Sequence, residues 1–114
     1  MKRTSYSLGL VTDFLDKMKI TYTYSSGGGM FAFYETGCRI KLNEPFELSI
    51  QTDPVIAGPS FAETALISAN THKVVYGTCG YGDVKRHDTP DELFKEIEWL
   101  LTQNLTEIDE DSEQ

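Results

Sequence analysis

Strict alternation of apolar and polar residues in the middle of the chain restricts the fold more than any other feature. Phe46, Leu48 and Ile50 alternate with polar side chains. A period of two residues places one side of a β-strand in the core and the other side in water. Three further short segments precede this one at regular spacing, which predicts an antiparallel meander. The four predicted strands comprise residues 20–24, 30–34, 38–42 and 46–51.

Glycine, proline and polar residues mark the expected turns of this meander. Three consecutive glycines at residues 27–29 predict a flexible first turn, and residues 43–45, which end in a proline, predict the last one. Between them, Thr36 and Gly37 predict the turn that precedes the third strand.

The stretch over residues 61–83 is the predicted centre of the fold. Residues 62–69 and 74–76 are rich in small, β-branched and aromatic residues, and the polar residues 70–73 are typical of a hairpin loop. Because apolar side chains lie on both faces of these runs, we expect two central strands that are covered on both sides. Glu63 is expected at the solvated start of the first strand.

Two segments are predicted to be loops. Residues 53–60 contain two prolines and a glycine, which exclude a central strand. We expect Val55 and Ile56 in this loop to pack into the core. Residues 80–88 are predicted to be a second loop, which leads from the hairpin into the last helix.

An amphipathic helix is predicted over residues 4–19, where apolar side chains recur at helical spacing. Thr4 or Ser5 can cap its first turn. A helix of this kind covers one face of a sheet. Its expected buried stripe consists of Leu8, Val11, Leu15 and Met18.

The strongest local signal in the chain predicts a second helix that runs to about residue 104. Thr89 suits the cap position, Pro90 suits the first helical position, and Glu92 completes a capping box. Such a cap stabilises a helix by roughly 1 kcal/mol. The expected buried stripe consists of Leu93, Ile97, Leu100 and Leu101.

These elements predict one α+β domain over residues 1–105, followed by an acidic, disordered tail over residues 106–114. The domain is expected to contain an N-terminal helix, a largely antiparallel sheet of about six strands, and a C-terminal helix packed on the sheet. No apolar run approaches the ~20 residues of a membrane span. The polar N-terminus resembles neither a signal peptide nor an anchor, so we expect a cytoplasmic protein that does not bind membranes.

The formal net charge of −8 is unevenly distributed along the 114 residues. Residues 1–82 carry seven acids and seven bases, whereas residues 83–114 carry eleven acids and three bases. This acidity disfavours direct nucleic-acid binding and predicts a basic protein partner. The acids expected to contact that partner are Asp88, Asp91, Glu92, Glu96, Glu98, Glu107, Asp109 and Glu110.

Small acidic inhibitors, including immunity proteins and virus-encoded decoys of DNA-binding enzymes, have this combination of size and charge. Spaced carboxylates on a rigid helix imitate a row of phosphates and attract a basic cleft. By this analogy of charge and size we expect an inhibitor or accessory factor encoded by a phage or mobile element.

Two other functions are alternatives. One is a small-ligand site or an enzyme site centred on the loop over residues 79–87, where a thiol, basic side chains and an imidazole could meet an anion or a substrate. The other is a structural subunit that associates with itself through an exposed sheet edge. The candidate ligand residues are Cys79, Tyr81, Lys85, Arg86 and His87.

No catalytic residue, cofactor or metal is predicted. No family signature surrounds Cys79, and a buried structural cysteine is the commoner role. The possible zinc ligands Cys38, His72, Cys79 and His87 lack the paired spacing of structural zinc sites. Two cysteines are also too few for a disulfide framework, and both are expected to be reduced.

Overall fold

A computed structural model describes residues 3–26, 34–42, 46–71, 73–75 and 84–103. It confirms the predicted α+β domain, with a helix at each end and a largely antiparallel sheet between them. The helices are α1 (Tyr6–Lys17), α2 (Pro54–Ala57) and α3 (Pro90–Leu101); the strands are β1 (Arg3–Thr4), β2 (Tyr22–Ser26), β3 (Tyr34–Lys41), β4 (Phe46–Gln51), β5 (Ala62–Ser68) and β6 (Lys85–His87).

The strands β2, β3, β4 and β5 pair antiparallel in sequence order, as a meander requires. The two-residue β1 pairs with β3 in parallel, and β6 pairs antiparallel with the first half of β5. Because the same residues of β3 pair with both β2 and β4, these two strands lie on opposite edges of β3. Among the described strands, β2 is therefore an outer strand of the sheet.

One face of the sheet carries the hydrophobic core. In the central register, Ile40 lies opposite Leu48, which lies opposite Leu66, and all three side chains are buried. Both α1 and α3 pack against this face, and they also contact each other. The rings of Phe14 and Phe94 stack between the helices, with centroids 4.2 Å apart. The helices contribute Leu8, Val11, Leu15, Leu93, Ile97 and Leu100 to the core.

Charged and polar side chains line the opposite face of β3 and β4, which we call the open face. Arg39, Lys41, Glu47 and Ser49 lie on it, and each is exposed or half-buried. Neither α1 nor α3 packs over this face. The alternation of the sequence therefore predicted correctly which side of these strands is buried.

Helix α1 begins and ends at local signals. Ser5 is the cap residue, because its hydroxyl accepts a hydrogen bond from the Leu8 amide at 3.1 Å. The helix ends at Lys17, and Lys19 adopts a positive φ of 59°. The prediction that Met18 belongs to the buried stripe is wrong, since the chain leaves the helix there and the side chain is 44% exposed.

The predicted turn at Thr36 and Gly37 is also wrong, because both residues lie inside β3. Gly37 instead allows β3 to pack closely against the neighbouring strands. A β-carbon on Gly37 would lie 2.7 Å from the backbone oxygen of Ile50 and 2.6 Å from the hydroxyl of Ser25. The absence of a side chain thus allows three strands to approach each other at this point.

The first strand of the predicted central hairpin and its turn are confirmed, but the described part of the second strand forms only an isolated antiparallel bridge, in which Val74 lies opposite Ile67. The backbone of Ser68 bonds to Lys73 at 2.9 Å, and that of Val75 bonds to Leu66 at 2.8 Å. Residues 76–83 lie outside the described residues. Glu63 and Ala65 on the open side of β5 are half-buried, so the predicted cover on both sides is incomplete at these two positions.

Three other predictions change. Residues 54–57 of the first predicted loop form the short helix α2, and Ile56 is 40% exposed instead of packed in the core. Residues 85–87 of the second predicted loop form β6. The predicted glycine turn, the turn at residues 43–45, most of the strand over residues 30–34 and the acidic tail lie outside the described residues.

The crowding at Gly37 predicts the effect of a single methyl group. We expect Gly37→Ala to lower the free energy of unfolding by about 1–3 kcal/mol, because a backbone oxygen cannot easily move away from the added carbon. Equilibrium unfolding in urea measures this change.

The matched control is Gly9→Ala in helix α1, where an added β-carbon meets nothing within 4 Å. We expect this substitution to raise the free energy of unfolding by about 0.5–1 kcal/mol, because alanine favours helix over glycine. Equal effects of the two substitutions would contradict the close approach at Gly37.

Candidate functional site

One of the acids predicted to contact a partner, Glu92, stabilises the start of α3. The Thr89 hydroxyl accepts a hydrogen bond from the Glu92 amide at 3.2 Å. In return, the Glu92 carboxylate accepts one from the Thr89 amide at 3.2 Å and one from the Asp88 amide at 2.8 Å. The predicted capping box is confirmed, and Pro90 opens the helix. The Glu92 carboxylate therefore stabilises the helix start, where the helix dipole also favours a negative charge.

A second predicted contact acid lies in an ion pair against the sheet. The Lys85 ammonium contacts the Glu96 carboxylate at 3.0 Å, and the two side chains are only 29% and 13% exposed. The same ammonium lies 5.6 Å from the centre of the Trp99 ring. This cluster joins β6 to α3, and its attraction is screened less by salt than that of an exposed pair.

Alternation along β6 separates the three basic residues of the predicted ligand site. Lys85 and His87 point toward α3 and the core, whereas Arg86 lies on the open side of the sheet. There the Arg86 guanidinium donates hydrogen bonds to the Glu63 carboxylate at 3.1 Å and to the Ile56 carbonyl at 3.3 Å. The predicted common anion site of these residues is therefore not assembled on β6. Cys79 and Tyr81, the other two candidates, lie outside the described residues.

His87 is buried within this region. Its Nε2 lies 3.0 Å from the Thr64 hydroxyl on the neighbouring strand. Burial lowers the pKa of His87 below its usual 6.5, the Lys85 charge lowers it further, and the Glu96 carboxylate offsets part of the shift. The imidazole is therefore neutral at physiological pH and contributes to packing.

The acids that remain available lie on the outward side of α3. Asp91 and Glu98 are exposed, and Lys95 lies between them at helical spacing, so the three form one outward surface. We call these three residues the outer face of α3. Beside it, the Trp99 ring is 43% exposed. Asp88, near the helix start, accepts a hydrogen bond from the Ser60 hydroxyl at 3.3 Å.

The excess of negative charge lies mainly in the last eleven residues of the chain. Residues 84–103 carry five acids and three bases, whereas residues 104–114 carry five acids and no base. Glu107, Asp109 and Glu110 belong to this last segment, which lies outside the described residues. Most of the surplus is thus carried by the segment that follows α3, and the helix itself contributes less than its number of acids suggests.

The described cysteine is not suited to nucleophilic chemistry. Cys38 is completely buried in the core, and this burial raises the pKa of its thiol to about 12. The thiol therefore stays protonated at neutral pH. Among the residues that the structure describes, no group of three or more histidine, cysteine, aspartate or glutamate side chains is placed to hold a metal ion.

A depression of about 490 Å³ flanks the outer strand β2, and the sequence reasoning missed it. Its residues come from the start of β2 and the two residues before it, from the open face and from the end of α3, which are separate in sequence. The sequence does contain a signal for this depression. Threonines alternate with tyrosines around β2, and charged residues alternate with apolar residues in β3, so the threonines and the charged residues lie on the same face once the two strands pair. The depression is lined by Ile20, Thr21, Tyr22, Thr23, Arg39, Lys41, Glu47 and Leu101.

None of the helices in the described ranges has the length and apolar character needed to cross a lipid bilayer.

The buried imidazole predicts a dependence of stability on pH. In the unfolded chain His87 takes up a proton near pH 6.5, whereas the folded protein binds it only at lower pH. Acidification below pH 6.5 therefore favours the unfolded state. We expect the free energy of unfolding to fall between about pH 7.5 and about pH 5.5, and to fall less in His87→Gln.

Urea unfolding of both proteins at the two pH values measures this difference. His72 is present in both proteins, so its titration cancels in the comparison. The same loss of stability in the wild type and the variant would show that His87 is not the responsible group.

Comparison of the chain with protein-family models, with curated proteins and with solved structures finds no match.

Proposed function

We propose that this chain is a small acidic binding module that acts on a basic protein partner. The outer face of α3 and the acidic segment over residues 104–114 would form its contact surface. The observation that carries the proposal is the local excess of carboxylates: Asp91 and Glu98 are exposed and form no ion pair within the described part of the chain, and five more acids follow without a base.

An acidic surface of this kind attracts a positively charged protein through long-range electrostatics. Carboxylates concentrated at one end of a small protein create a field that speeds the encounter with a positively charged cleft. Carboxylates spaced along a helix also imitate the phosphates of a nucleic acid. A partner with a nucleic-acid-binding cleft would therefore accept this surface in place of its substrate.

An exposed aromatic ring next to the acids supports recognition of a protein. Trp99 presents part of its ring beside the outer face of α3 and is held there by packing against Lys85. Tryptophan is among the residues that contribute most to binding energy at protein interfaces. The acids would guide the encounter, and Trp99 would supply contact area.

We further propose that the chain acts as an inhibitor or accessory factor of the kind that phages and mobile elements encode. Its size and charge support this assignment, which is made by analogy. The ligand-site alternative gains less support, because Lys85, Arg86 and His87 are engaged within the fold.

Charge reversal on the outer face of α3 tests the proposal. We expect Glu98→Lys to weaken partner binding by about 2- to 10-fold, the range for one exposed charge pair. Asp13→Lys is the matched control, because Asp13 is an equally exposed helical acid on α1 and the change in net charge is the same. It should leave binding close to that of the wild type.

The partner is first captured from a lysate of the source cells, identified by mass spectrometry, and then titrated in purified form. A chain that ends at Gln103 should bind about tenfold more weakly or worse, because it lacks five carboxylates. Binding of the full chain should weaken between about 50 mM and about 500 mM salt. Affinity that is unaffected by the truncation and by salt would overturn the proposal.

A further inference from the structure

Within the part of the chain that the structure describes, the outer strand β2 is paired along one edge only. Its residues pair with β3 in a continuous antiparallel register from Tyr22 opposite Ile40 to Ser25 opposite Gly37. Across the described residues, no backbone group of β2 bonds to any strand other than β3. The second row of amide and carbonyl groups along this strand is therefore open to another strand.

The composition of β2 is unusual for a free edge. Edge strands are commonly protected from further pairing by lysine, by proline or by an inward-pointing charge. The segment over residues 20–26 contains no charged residue and no proline, and four of its residues are threonine or tyrosine, which favour strands. The chain carries 28 charged residues elsewhere, so their absence here leaves this edge suited to strand addition.

We propose that two copies of this chain join through β2 in an antiparallel arrangement, so that their sheets become one continuous sheet. With the two-fold axis at Thr23, the residue lies opposite its own counterpart, and Tyr22 of each copy lies opposite Tyr24 of the other. Threonine pairs and aromatic pairs are favourable cross-strand neighbours. The strand therefore complements itself without placing like charges opposite each other.

The side chains at this edge are arranged to accept such a neighbour. The rings of Tyr22 and Tyr24 already meet edge to face within one copy, with centroids 5.5 Å apart. Tyr24 remains 50% exposed, and a second copy would cover its outer side. The depression beside β2 leaves space along the same edge, since Thr21, Tyr22 and Thr23 line it.

The charge of the chain sets how this association depends on salt. Two copies with a formal charge of −8 each repel one another at long range, and salt screens that repulsion. Self-association through an uncharged strand should therefore strengthen as salt is added. Binding to a basic partner has the opposite dependence, so the two interactions can be distinguished in one set of buffers.

Analytical ultracentrifugation of the full chain tests the proposal. We expect the average mass to rise with protein concentration between about 10 µM and about 1 mM, as for a small and weak interface. The rise should be larger in about 500 mM salt than in about 50 mM salt. A chain that stays monomeric over this whole range would overturn the proposal and would leave the edge to a strand of a different protein.

Two variants test whether β2 is the strand that forms the dimer interface. Thr23→Glu places a carboxylate beside Arg39 within one copy, which is favourable, but opposite its own counterpart in the proposed dimer, which is not. We expect its self-association to weaken at least about tenfold. Circular dichroism and the urea midpoint should show that the monomer remains folded.

The matched control is Ser49→Glu, which places a carboxylate beside the same Arg39 from β4, in the interior of the sheet. Its self-association should equal that of the wild type. A Thr23→Glu variant that still forms the dimer would overturn the proposed pairing through β2. The same conclusion would follow if Thr23→Glu and Ser49→Glu were both folded and lost the dimer to the same extent. Hydrogen exchange of the wild type supplies an independent check, because the β2 amides should become more protected as concentration rises.

Discussion

The packing of two helices onto a single face of the sheet is the interaction on which the rest of the structure depends. Phe46, Leu48 and Ile50 point from β4 into the core, and α1 and α3 lie over them and over their neighbours on β3 and β5. Because this one face buries the apolar side chains, the open face, the outer edge of β2 and the outward side of α3 remain at the surface. Both proposed interactions use surfaces that this arrangement leaves uncovered.

Much of the fold could be predicted because its signals are local. The alternation over residues 46–51 and the cap formed by Thr89 and Glu92 each depend on neighbours in sequence. The errors arose where distant segments meet. The sequence around Gly37 predicts a turn, although Gly37 lies within β3 and allows close contact with Ile50. The strand β6 is a short polar segment that pairs with β5, which lies far from it in sequence.

The same limit applies to the candidate site. The sequence showed that the C-terminal third is acidic, but counting charges could not separate the acids that hold the fold together from those that face solvent. Glu92 caps a helix and Glu96 pairs with Lys85, whereas Asp91 and Glu98 remain exposed. Helical spacing directs Glu96 toward Lys85 on β6 and leaves Asp91 and Glu98 on the outward side of α3. The lack of charged residues in β2 is visible in the sequence, but the outer position of β2 among the described strands is not.

The division of the α3 acids into those that hold the fold together and those that remain exposed is the central claim, and urea unfolding of two neutralising variants tests it most directly. Glu96→Gln should lower the free energy of unfolding by about 1–3 kcal/mol, because it removes the negative charge that contacts the Lys85 ammonium at 3.0 Å in a half-buried position. Glu98→Gln should change it by less than about 0.5 kcal/mol, as is usual for an exposed residue that forms no ion pair within the described ranges. Equal effects of the two substitutions would contradict the claim.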